Sequence, residues 1–250
     1  MAESHDAEAV LNEQLAYYRA RAPEYDQWWL RRGRYDLGED FRRQWVEEIR
    51  EVTAALEEFA VTGDVLELAA GTGIWTVELA RSASRITAID ASIEALQICR
   101  SKLGGTMIPA EFIQADLFAW RPDRRYDVVF FSFWLTHVPT THFERFWELV
   151  DESLAPGGRF FLIDSAPPVE EMERQFPGRD VDAGTYETAS DHGRTVRRLS
   201  DGRSFQIVKN HRSPSDLANR LVRLGWDAEI QKTKYFFIYG SGARRRGRAA

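Results

Sequence analysis

The segment from Val65 to Thr76 restricts the fold of this chain more than any other. It begins with a short apolar run that contains one acid, Glu67, and then breaks into Gly71-Thr72-Gly73. An apolar run, a glycine turn and a helical pattern in this order predict a buried strand, a tight loop and a helix N-terminus, the layout of a nucleotide-binding βα unit. Glycine lets the backbone approach a ligand closely, and the free N–H groups of a first helical turn favour an anion.

The glycine pattern argues against a dinucleotide as the ligand. A dinucleotide-binding loop needs the pattern G-x-G-x-x-G, and Thr76 stands at the third glycine position. Glu67 lies four residues before Gly71, near the end of the predicted strand, where a carboxylate can project into a cleft. A nicotinamide-dependent oxidoreductase therefore remains only as an alternative that Thr76 disfavours.

Strands and helices alternate through the middle of the chain. Helical patterns cover 92–103 and 140–154, and strands are predicted over 65–70, 85–90, 111–116, 126–131, 159–164, 226–232 and 235–239. This order predicts a doubly wound, Rossmann-like α/β fold with a mainly parallel seven-stranded sheet and an antiparallel terminal strand. Ligands of such sheets bind beyond the carboxyl ends of the strands, so we expect Glu67, Asp90 and Asp116 at one crevice.

The remaining segments are predicted to surround this core. A helix over 8–22 is closed by Pro23, and a second helix runs from Asp40, its N-cap, to Phe59. Residues 195–199 and 204–209 flank a turn typical of a hairpin, whereas 166–193 show no clear period. We divide the chain into an N-terminal helical cap or lid (1–60), a cofactor-binding core (61–165), an insertion with a hairpin (166–210), a C-terminal helix and strand pair (211–242), and a basic disordered tail (243–250).

Composition excludes several classes of function. The net charge is −6, and the basic run Arg244–Arg248 has no aromatic neighbours, so we expect no nucleic-acid partner. No apolar run reaches the roughly 20 residues that cross a bilayer, and the N-terminus has no apolar signal segment, so we expect a soluble, cytoplasmic protein without a membrane partner. Cys99 is the single cysteine, and no His, Cys and carboxylate set has metal-ligand spacing, so we expect no metal.

These motifs resemble those of the class I S-adenosylmethionine-dependent methyltransferases. Glu67–Gly73 is similar to that family's first motif, acid-x-Gly-x-Gly-x-Gly, with Ala69 in place of the first glycine. Asp90 and Asp116 end the second and third predicted strands, and Leu154–Arg159 is similar to the turn before the family's fifth strand. The resemblance implies S-adenosyl-L-methionine (SAM) as methyl donor and S-adenosyl-L-homocysteine (SAH) as product.

The resemblance also implies a set of cofactor-binding residues. Asp90 matches the acid that binds the ribose hydroxyls, and Asp116 matches the acid that meets the adenine amino group. A carboxylate can accept hydrogen bonds from both ribose hydroxyls, and aromatic faces stabilise a sulfonium. The complete expected set is Glu67, Ala69, Gly71, Thr72, Gly73, Trp75, Asp90, Ala91, Ser92, Asp116, Leu117, Phe118, Ser132 and Phe133.

The segment after the fourth predicted strand, Ser132–Pro139, is where such enzymes present the methyl group to the acceptor. It lacks the Asn/Asp-Pro-Pro-aromatic pattern of methylases that act on nucleic-acid amino groups, which favours a small-molecule acceptor. His137 is the candidate general base, because a histidine ordinarily titrates near working pH. A structural or cofactor-lining role for His137 remains open at this point.

Aromatic residues crowd the N-terminal region, where arginines are interleaved with them. They are expected to pack on the core, to close over a ligand, or both, and a homodimer that uses them is also open. The candidate acceptor-binding residues are Tyr17, Tyr18, Tyr25, Trp28, Trp29, Trp134 and His137. This set favours an acceptor with an apolar or planar part.

The sequence therefore predicts a SAM-dependent methyltransferase that acts on a small metabolite, with residues 1–60 and 166–210 building the acceptor pocket. A non-catalytic SAM-binding or regulatory protein is the alternative, and cofactor binding without methyl transfer would mark it. No motif indicates whether oxygen, nitrogen or carbon is methylated.

Overall fold

The computed structural model describes residues 2–176 and 193–245, and a seven-stranded sheet forms its centre. The strands are β1 (Asp64–Leu68), β2 (Arg85–Asp90), β3 (Ala110–Gln114), β4 (Tyr126–Ser132), β5 (Leu154–Ser165), β6 (Arg194–Arg198), β7 (Ser204–Val208), β8 (Trp226–Lys232) and β9 (Phe237–Arg244). The strand order across the large sheet is β3-β2-β1-β4-β5-β9-β8, and β6 pairs with β7 in a separate antiparallel hairpin.

Helices cover both faces of the large sheet. They are α1 (Ala2–Trp29), α2 (Glu39–Phe59), α3 (Ile74–Leu79), α4 (Ile93–Leu103), α5 (Phe143–Ser153), α6 (Glu170–Gln175) and α7 (Pro214–Arg223). None of them, within the described ranges, combines the length and the apolar character that a membrane span requires.

The predicted fold class is confirmed. Strands β1 to β5 run parallel to one another, and β9 lies antiparallel between β5 and β8. Two glycines of β9 allow the close approach of β8, because a Cβ at Gly240 would lie 2.1 Å from the Glu229 carbonyl oxygen and one at Gly242 would lie 2.6 Å from that of Asp227. At the centre of the sheet, the strand order places the carboxyl ends of the parallel strands β2, β1 and β4 side by side, and the candidate site lies beyond these ends.

Alternate residues of the central strands enter two separate cores. Val128 and Phe130 join the core with α2 and α3, whereas Val129 and Phe131 join the core with α5 and α7. Side chains of a strand point alternately to opposite faces, so an apolar run without polar interruption produces a strand that is buried on both sides. Such a strand holds the loop that follows it in a fixed position.

Helix α1 is longer than the sequence pattern predicts. The expected stop at Pro23 is wrong, because the helix contains Pro23 and continues to Trp29. An internal proline costs a helix about 3 kcal/mol. Here the residues that follow are held by packing, since Trp28 and Trp29 lie against Trp45 and Phe133. Tertiary contacts thus outweigh the local preference.

Other element boundaries differ in smaller ways. The N-cap of α2 is Gly38 rather than Asp40, and the aperiodic segment after residue 165 contains the short helix α6. The predicted tail starts too early, because β9 continues to Arg244, where it pairs with Trp226 of β8. The rest of the tail (246–250) and the segment 177–192 of the insertion lie outside the described residues.

Two contacts fix the N-terminal helices onto the core. Glu48 of α2 is buried, and its carboxylate accepts hydrogen bonds from the Thr233 hydroxyl and from the backbone N–H groups of Tyr235 and Phe236. In α1, Tyr17 is buried against Leu199 and Ile207 of the hairpin region. The cap and the hairpin therefore share one packed boundary above the sheet.

Candidate active site

The loop between β1 and α3 has an unusual backbone. Ala69, Gly71 and Gly73 all have positive φ, at +54°, +56° and +81°. A residue with a Cβ loses about 1–2 kcal/mol in this left-handed region, whereas glycine enters it freely. Ala69 therefore adopts, with strain, a conformation that the glycine of the family motif would adopt without strain.

The two glycines serve different purposes. A Cβ at Gly73 would lie 2.6 Å from the Cys99 sulfur and 2.9 Å from the Cys99 Cα, so only glycine lets α3 and α4 pack this closely. A Cβ at Gly71 would meet no described atom within 4 Å. The open space at Gly71 is the floor of a cavity, and a ligand can approach the backbone there.

Asp90 is held at the end of β2 by two backbone donors. The N–H of Gly71 donates to Oδ2 and the N–H of Ser92 donates to Oδ1, each over 2.8 Å. Burial raises the pKa of Asp90, and these hydrogen bonds oppose that rise. Ser92 in turn caps α4, because its hydroxyl accepts from the Ala95 N–H. The carboxylate thus has a fixed place beside the glycine loop.

A cavity of about 150 Å³, here called the first cavity, opens beyond the carboxyl ends of β1, β2 and β4. Eleven of the fourteen expected cofactor-binding residues line it: Ala69, Gly71, Thr72, Asp90, Ala91, Ser92, Asp116, Leu117, Phe118, Ser132 and Phe133. Asp116 and Phe118 come from the segment after β3, where the Asp116 carboxylate accepts from the Phe118 N–H over 2.9 Å. The arrangement offers carboxylates at two places and apolar walls between them.

Three expected residues lie behind the loop rather than on the cavity wall. Gly73 packs on α4, Trp75 borders a separate small pocket, and Glu67 is 1% exposed. The Oε2 atom of Glu67 has no hydrogen-bond partner among the described residues. Burial raises the pKa of Glu67 to about 8, since the charged carboxylate is poorly solvated there.

Helix α1 forms the outer wall of the first cavity. Asp26 accepts a hydrogen bond of 2.7 Å from the Thr72 hydroxyl of the loop and pairs with Lys102 of α4 at 2.7 Å. Arg19 donates to the Ala91 carbonyl oxygen over 3.4 Å. The helix is therefore attached to both sides of the cavity, and a ligand that fills the cavity contacts it.

A second cavity of about 160 Å³ adjoins the first. Four residues line both cavities: Tyr18, Tyr25, Phe133 and His137. The wall that is not shared comes from α1 and α2, from the segment after β5, from the hairpin strands and from the start of β9. A molecule in the second cavity therefore lies next to one in the first.

The structure separates the candidate acceptor-binding residues into groups. Tyr18, Tyr25 and His137 line both cavities, and Trp28 lines the second. Trp134 lines the first cavity, where it packs on Phe118. Tyr17 and Trp29 line neither, because Tyr17 packs on the hairpin and Trp29 packs on Trp75.

Cationic side chains are concentrated on the second cavity. Arg21 lies in α1 and Arg31 lies just after it, and each side chain is 7% exposed. Arg197 and Lys209 line the same cavity from the hairpin. His211 also lines this cavity, and no Asp or Glu stands among its described lining residues. Aromatic rings hold the arginines, since the Arg31 guanidinium lies 3.5 Å from the Trp45 ring centroid and that of Arg21 lies 5.2 Å from the Tyr25 centroid.

The tautomer of His137 follows from its hydrogen bonds. Nδ1 lies 2.7 Å from the Val208 carbonyl oxygen, which can only accept, so Nδ1 carries the proton. Nε2 then accepts from the Tyr18 hydroxyl, also over 2.7 Å. Burial holds the pKa of His137 well below that of an ordinary histidine, and the charge of Lys209 lowers it further. The ring is therefore neutral, and its basic nitrogen is occupied.

Comparison with known proteins decides the family. A model described as a methyltransferase domain matches residues 65–158, the part that carries the loop and the acids. The structure of a DhpI–SAH complex has 36% identity and a TM-score of 0.74, and the match covers 94% of this chain and 97% of DhpI. The chain belongs to the S-adenosylmethionine-dependent methyltransferases.

Further comparisons agree with this assignment. A DhpI complex with SAM and HEP gives 37% identity and a TM-score of 0.75, again over 94% of this chain and 97% of DhpI. A SAM-dependent methyltransferase from Clostridium acetobutylicum ATCC 824 shares the fold, at 14% identity, a TM-score of 0.56, and coverage of 82% of this chain and 92% of its own. None of the curated protein sequences compared matches this methyltransferase significantly.

Sequence reasoning missed a large part of both cavity walls of the methyltransferase. The first cavity also contains five residues of α1: Leu11, Asn12, Gln14, Leu15 and Ala22. The second contains the cations, together with Phe41, Trp45 and the sequence Tyr235–Phe237. The interleaving of arginines with aromatics near residues 17–32 was the one available indication. The residues that complete the walls come from distant segments, which no local pattern brings together.

Proposed function

We propose that this methyltransferase transfers the methyl group of SAM, bound in the first cavity, to a small molecule bound in the second. The shared wall carries the proposal, because Tyr18, Tyr25, Phe133 and His137 border both cavities. Methyl transfer requires donor carbon and acceptor atom in direct contact. Two adjoining cavities at the carboxyl edge of the sheet provide for that contact.

The residues of the first cavity fit the cofactor. Asp90 offers two carboxylate oxygens for the ribose hydroxyls, and Asp116 with Phe118 suits the adenine. The space in front of Gly71 leaves room for the methionine end of the cofactor. When bound, the cofactor supplies a methyl group already activated by a sulfonium. The protein then acts mainly by positioning, which contributes up to roughly 7–11 kcal/mol.

The form of the second cavity supports a small acceptor. Its walls come from α1, α2, the hairpin and β9, so these elements enclose an occupant on several sides. DhpI forms a complex that contains HEP together with SAM. This supports the expectation that a second molecule is held beside the cofactor in the present chain as well.

Calorimetry with SAH tests the cofactor site. We expect wild-type protein to bind SAH and Asp90→Asn to bind it about tenfold or more weakly, because a charged acceptor of ribose hydrogen bonds is lost. Asp227→Asn, an exposed position of β8, is the matched control and should leave SAH affinity unchanged. No binding by the wild type, or equal binding by Asp90→Asn, contradicts the site.

Turnover with SAM and a panel of small acceptors tests the activity. We expect SAH release above the acceptor-free rate for at least one chemical class. Ala166→Leu narrows the second cavity and should raise KM for that acceptor while SAH affinity stays the same. SAH binding without methyl transfer to any acceptor contradicts the proposed activity and favours the non-catalytic alternative.

A further inference from the structure

His137 is poorly suited to remove a proton from an acceptor. Its Nδ1 is bonded to the Val208 carbonyl, and its Nε2 already accepts the Tyr18 proton, each over 2.7 Å. A proton taken up by this buried ring would create a second positive charge beside existing ones. The groups that face it are Tyr18 and Arg21 from α1, Arg197 from β6, and Lys209 after β7.

The same surroundings suit a negative charge. Arg21, Arg197 and Lys209 all lie close enough to His137 to lower its pKa, and all three line the second cavity. His137 itself stands on the wall shared with the first cavity. The positive charge is therefore concentrated at the junction of the cavities, where the acceptor atom must meet the methyl group.

Lys209 is oriented by polar neighbours. Its Nζ donates to the Ser165 hydroxyl over 3.0 Å and to the Thr136 hydroxyl over 3.2 Å. The Thr136 hydroxyl is in turn bonded to Oδ1 of the buried Asp164 over 2.8 Å. Aromatic rings constrain Arg21 in a comparable way, since its guanidinium lies 5.2 Å from the Tyr25 centroid and 5.3 Å from that of Trp28. Cations held in this manner form a preorganised site.

We propose that the acceptor is a small organic oxyanion, bound at the junction by Arg21, Arg197 and Lys209 and methylated on its ionised oxygen without a general base. The inference rests on the proposed function and adds the substrate class. A lone pair of the acceptor oxygen forms the new O–C bond while the S–C bond breaks and its electron pair remains on sulfur. The acceptor loses one negative charge and the donor loses its positive charge. No proton is transferred, and the product is a methyl ester.

This chemistry determines how the cations act. They stabilise the charged acceptor before the reaction, and the charge falls as the ester forms. An interaction that is not stronger in the transition state than in the bound substrate contributes to binding rather than to the chemical step. Removal of one cation should therefore raise KM more than it lowers kcat.

Binding of simple anions to the SAH-loaded protein tests the site without turnover. Inorganic phosphate and acetate serve as probes for a phosphoryl and a carboxyl acceptor, and calorimetry measures both. We expect one of them to bind, and Arg197→Gln and Lys209→Gln each to weaken it about tenfold or more. Arg198→Gln, the exposed neighbour on β6, and Lys232→Gln, exposed on β8, are charge-matched controls and should bind as the wild type does.

Turnover of matched acceptors supplies the second measurement. Carboxylic acids, phosphate monoesters and neutral alcohols and amines of equal size are compared, and the ester is identified by mass spectrometry. We expect ester formation with one anionic class, and a kcat/KM that is constant above the acceptor's own pKa. A neutral acceptor whose turnover follows a pKa that disappears in His137→Gln overturns the inference.

Failure of the inference is distinct from failure of the proposed function. If SAH binds but neither anion does, or if the charge variants and their controls bind anion equally, the oxyanion site is wrong and the methyltransferase activity is unaffected. If SAH itself does not bind, the proposed function is wrong. Unchanged SAH affinity in Arg197→Gln and Lys209→Gln verifies that these variants are folded.

Discussion

The hydroxyl of Tyr18 donates a 2.7 Å hydrogen bond to Nε2 of His137, which joins α1 to the turn after β4. Both residues line both cavities, so the bond fixes the wall that the two cavities share. It also occupies the nitrogen that a general base would use. A single contact thus has a structural and a chemical consequence.

Loss of this hydroxyl should weaken the fold. In Tyr18→Phe the buried Nε2 of His137 loses its donor, and an unsatisfied buried polar atom costs about 1–3 kcal/mol. We expect the free energy of unfolding in urea to fall by that amount. Tyr25→Phe, on the same helix, is the comparison and should lose less. An equal loss in both variants would show that the bond to His137 contributes nothing specific.

The stability of the apo protein should depend on the charge state of Glu67. Its pKa is raised to about 8 in the fold by burial, so the folded state holds a proton that the unfolded state releases above an ordinary carboxyl pKa of about 4.5. The contribution of Glu67 to the free energy of unfolding is therefore greatest at acid pH and declines as pH rises to about 8. The difference is on the order of 4–5 kcal/mol.

The variant Glu67→Gln isolates this effect. The free energy of unfolding of Glu67→Gln, measured relative to that of the wild type, should rise steadily between about pH 5 and 8. Urea titrations at several pH values measure the difference. Glu111→Gln, at an exposed position of β3, should show no such trend. A constant difference between Glu67→Gln and wild type would mean that the carboxyl ionises normally.

Ala69→Gly should stabilise the protein. The substitution removes left-handed strain at φ +54°, which is about 1–2 kcal/mol, and adds the backbone entropy of glycine, about 0.5–1 kcal/mol. We expect a net gain of roughly 0.5–1 kcal/mol in urea unfolding. Ala70→Gly is the control and should lose stability, because φ at Ala70 is not positive. A loss in both variants would refute the strain assigned to Ala69.

Gly73→Ala should destabilise the protein. The added methyl group would meet the Cys99 sulfur at 2.6 Å and the backbone at 2.9 Å, and φ of +81° is strained for alanine. We expect a loss of about 3 kcal/mol or more and weaker SAH binding, because α3 and α4 must separate. Gly105→Ala, where a Cβ would meet nothing within 4 Å, should be nearly neutral. Equal melting temperatures of the two variants would contradict this packing.

Asp26→Asn should speed the release of SAH. The carboxylate connects α1 to Thr72 and Lys102, and its loss weakens the outer wall of the first cavity. We expect the dissociation rate constant, measured by stopped-flow fluorescence, to rise about threefold to tenfold, which corresponds to roughly 0.7–1.4 kcal/mol. Asp40→Asn, on the exposed side of α2, should release SAH at the wild-type rate. An unchanged rate in Asp26→Asn would show that α1 does not restrain the cofactor.

Local patterns were sufficient to predict the strands of the core and the part of the first cavity that lies at the ends of those strands. The strand at 85–90 has the bounds that its largely apolar sequence indicates, because a strand buried on both faces needs such a run. The strand at 226–232 also has the expected bounds, although it lies at the edge of the sheet and is mostly exposed. The loop after β1 was predictable because its glycines serve a local backbone geometry. The family motif added the acids at Asp90 and Asp116.

The second cavity was not predictable in the same way. Arg21 and Lys209 both line it although they are far apart in the sequence, and only tertiary packing places the hairpin against α1. The extension of α1 past Pro23 has the same origin, since the contacts of Trp28 and Trp29 with distant aromatics outweigh the preference of proline. The arginines between aromatics near residues 17–32 indicated that this segment could have a function, but they did not indicate which distant residues pack beside it.

Helix α1 contributes residues to both cavities, with Leu11 and Leu15 on the first and Arg21 and Trp28 on the second. Under the proposed function, acceptor preference and cofactor retention therefore depend on the same helix. We therefore expect substitutions in α1 that broaden the acceptor range to change the residence time of SAH as well. Substitutions in the hairpin, whose strands do not reach the first cavity, offer the independent route to a new substrate.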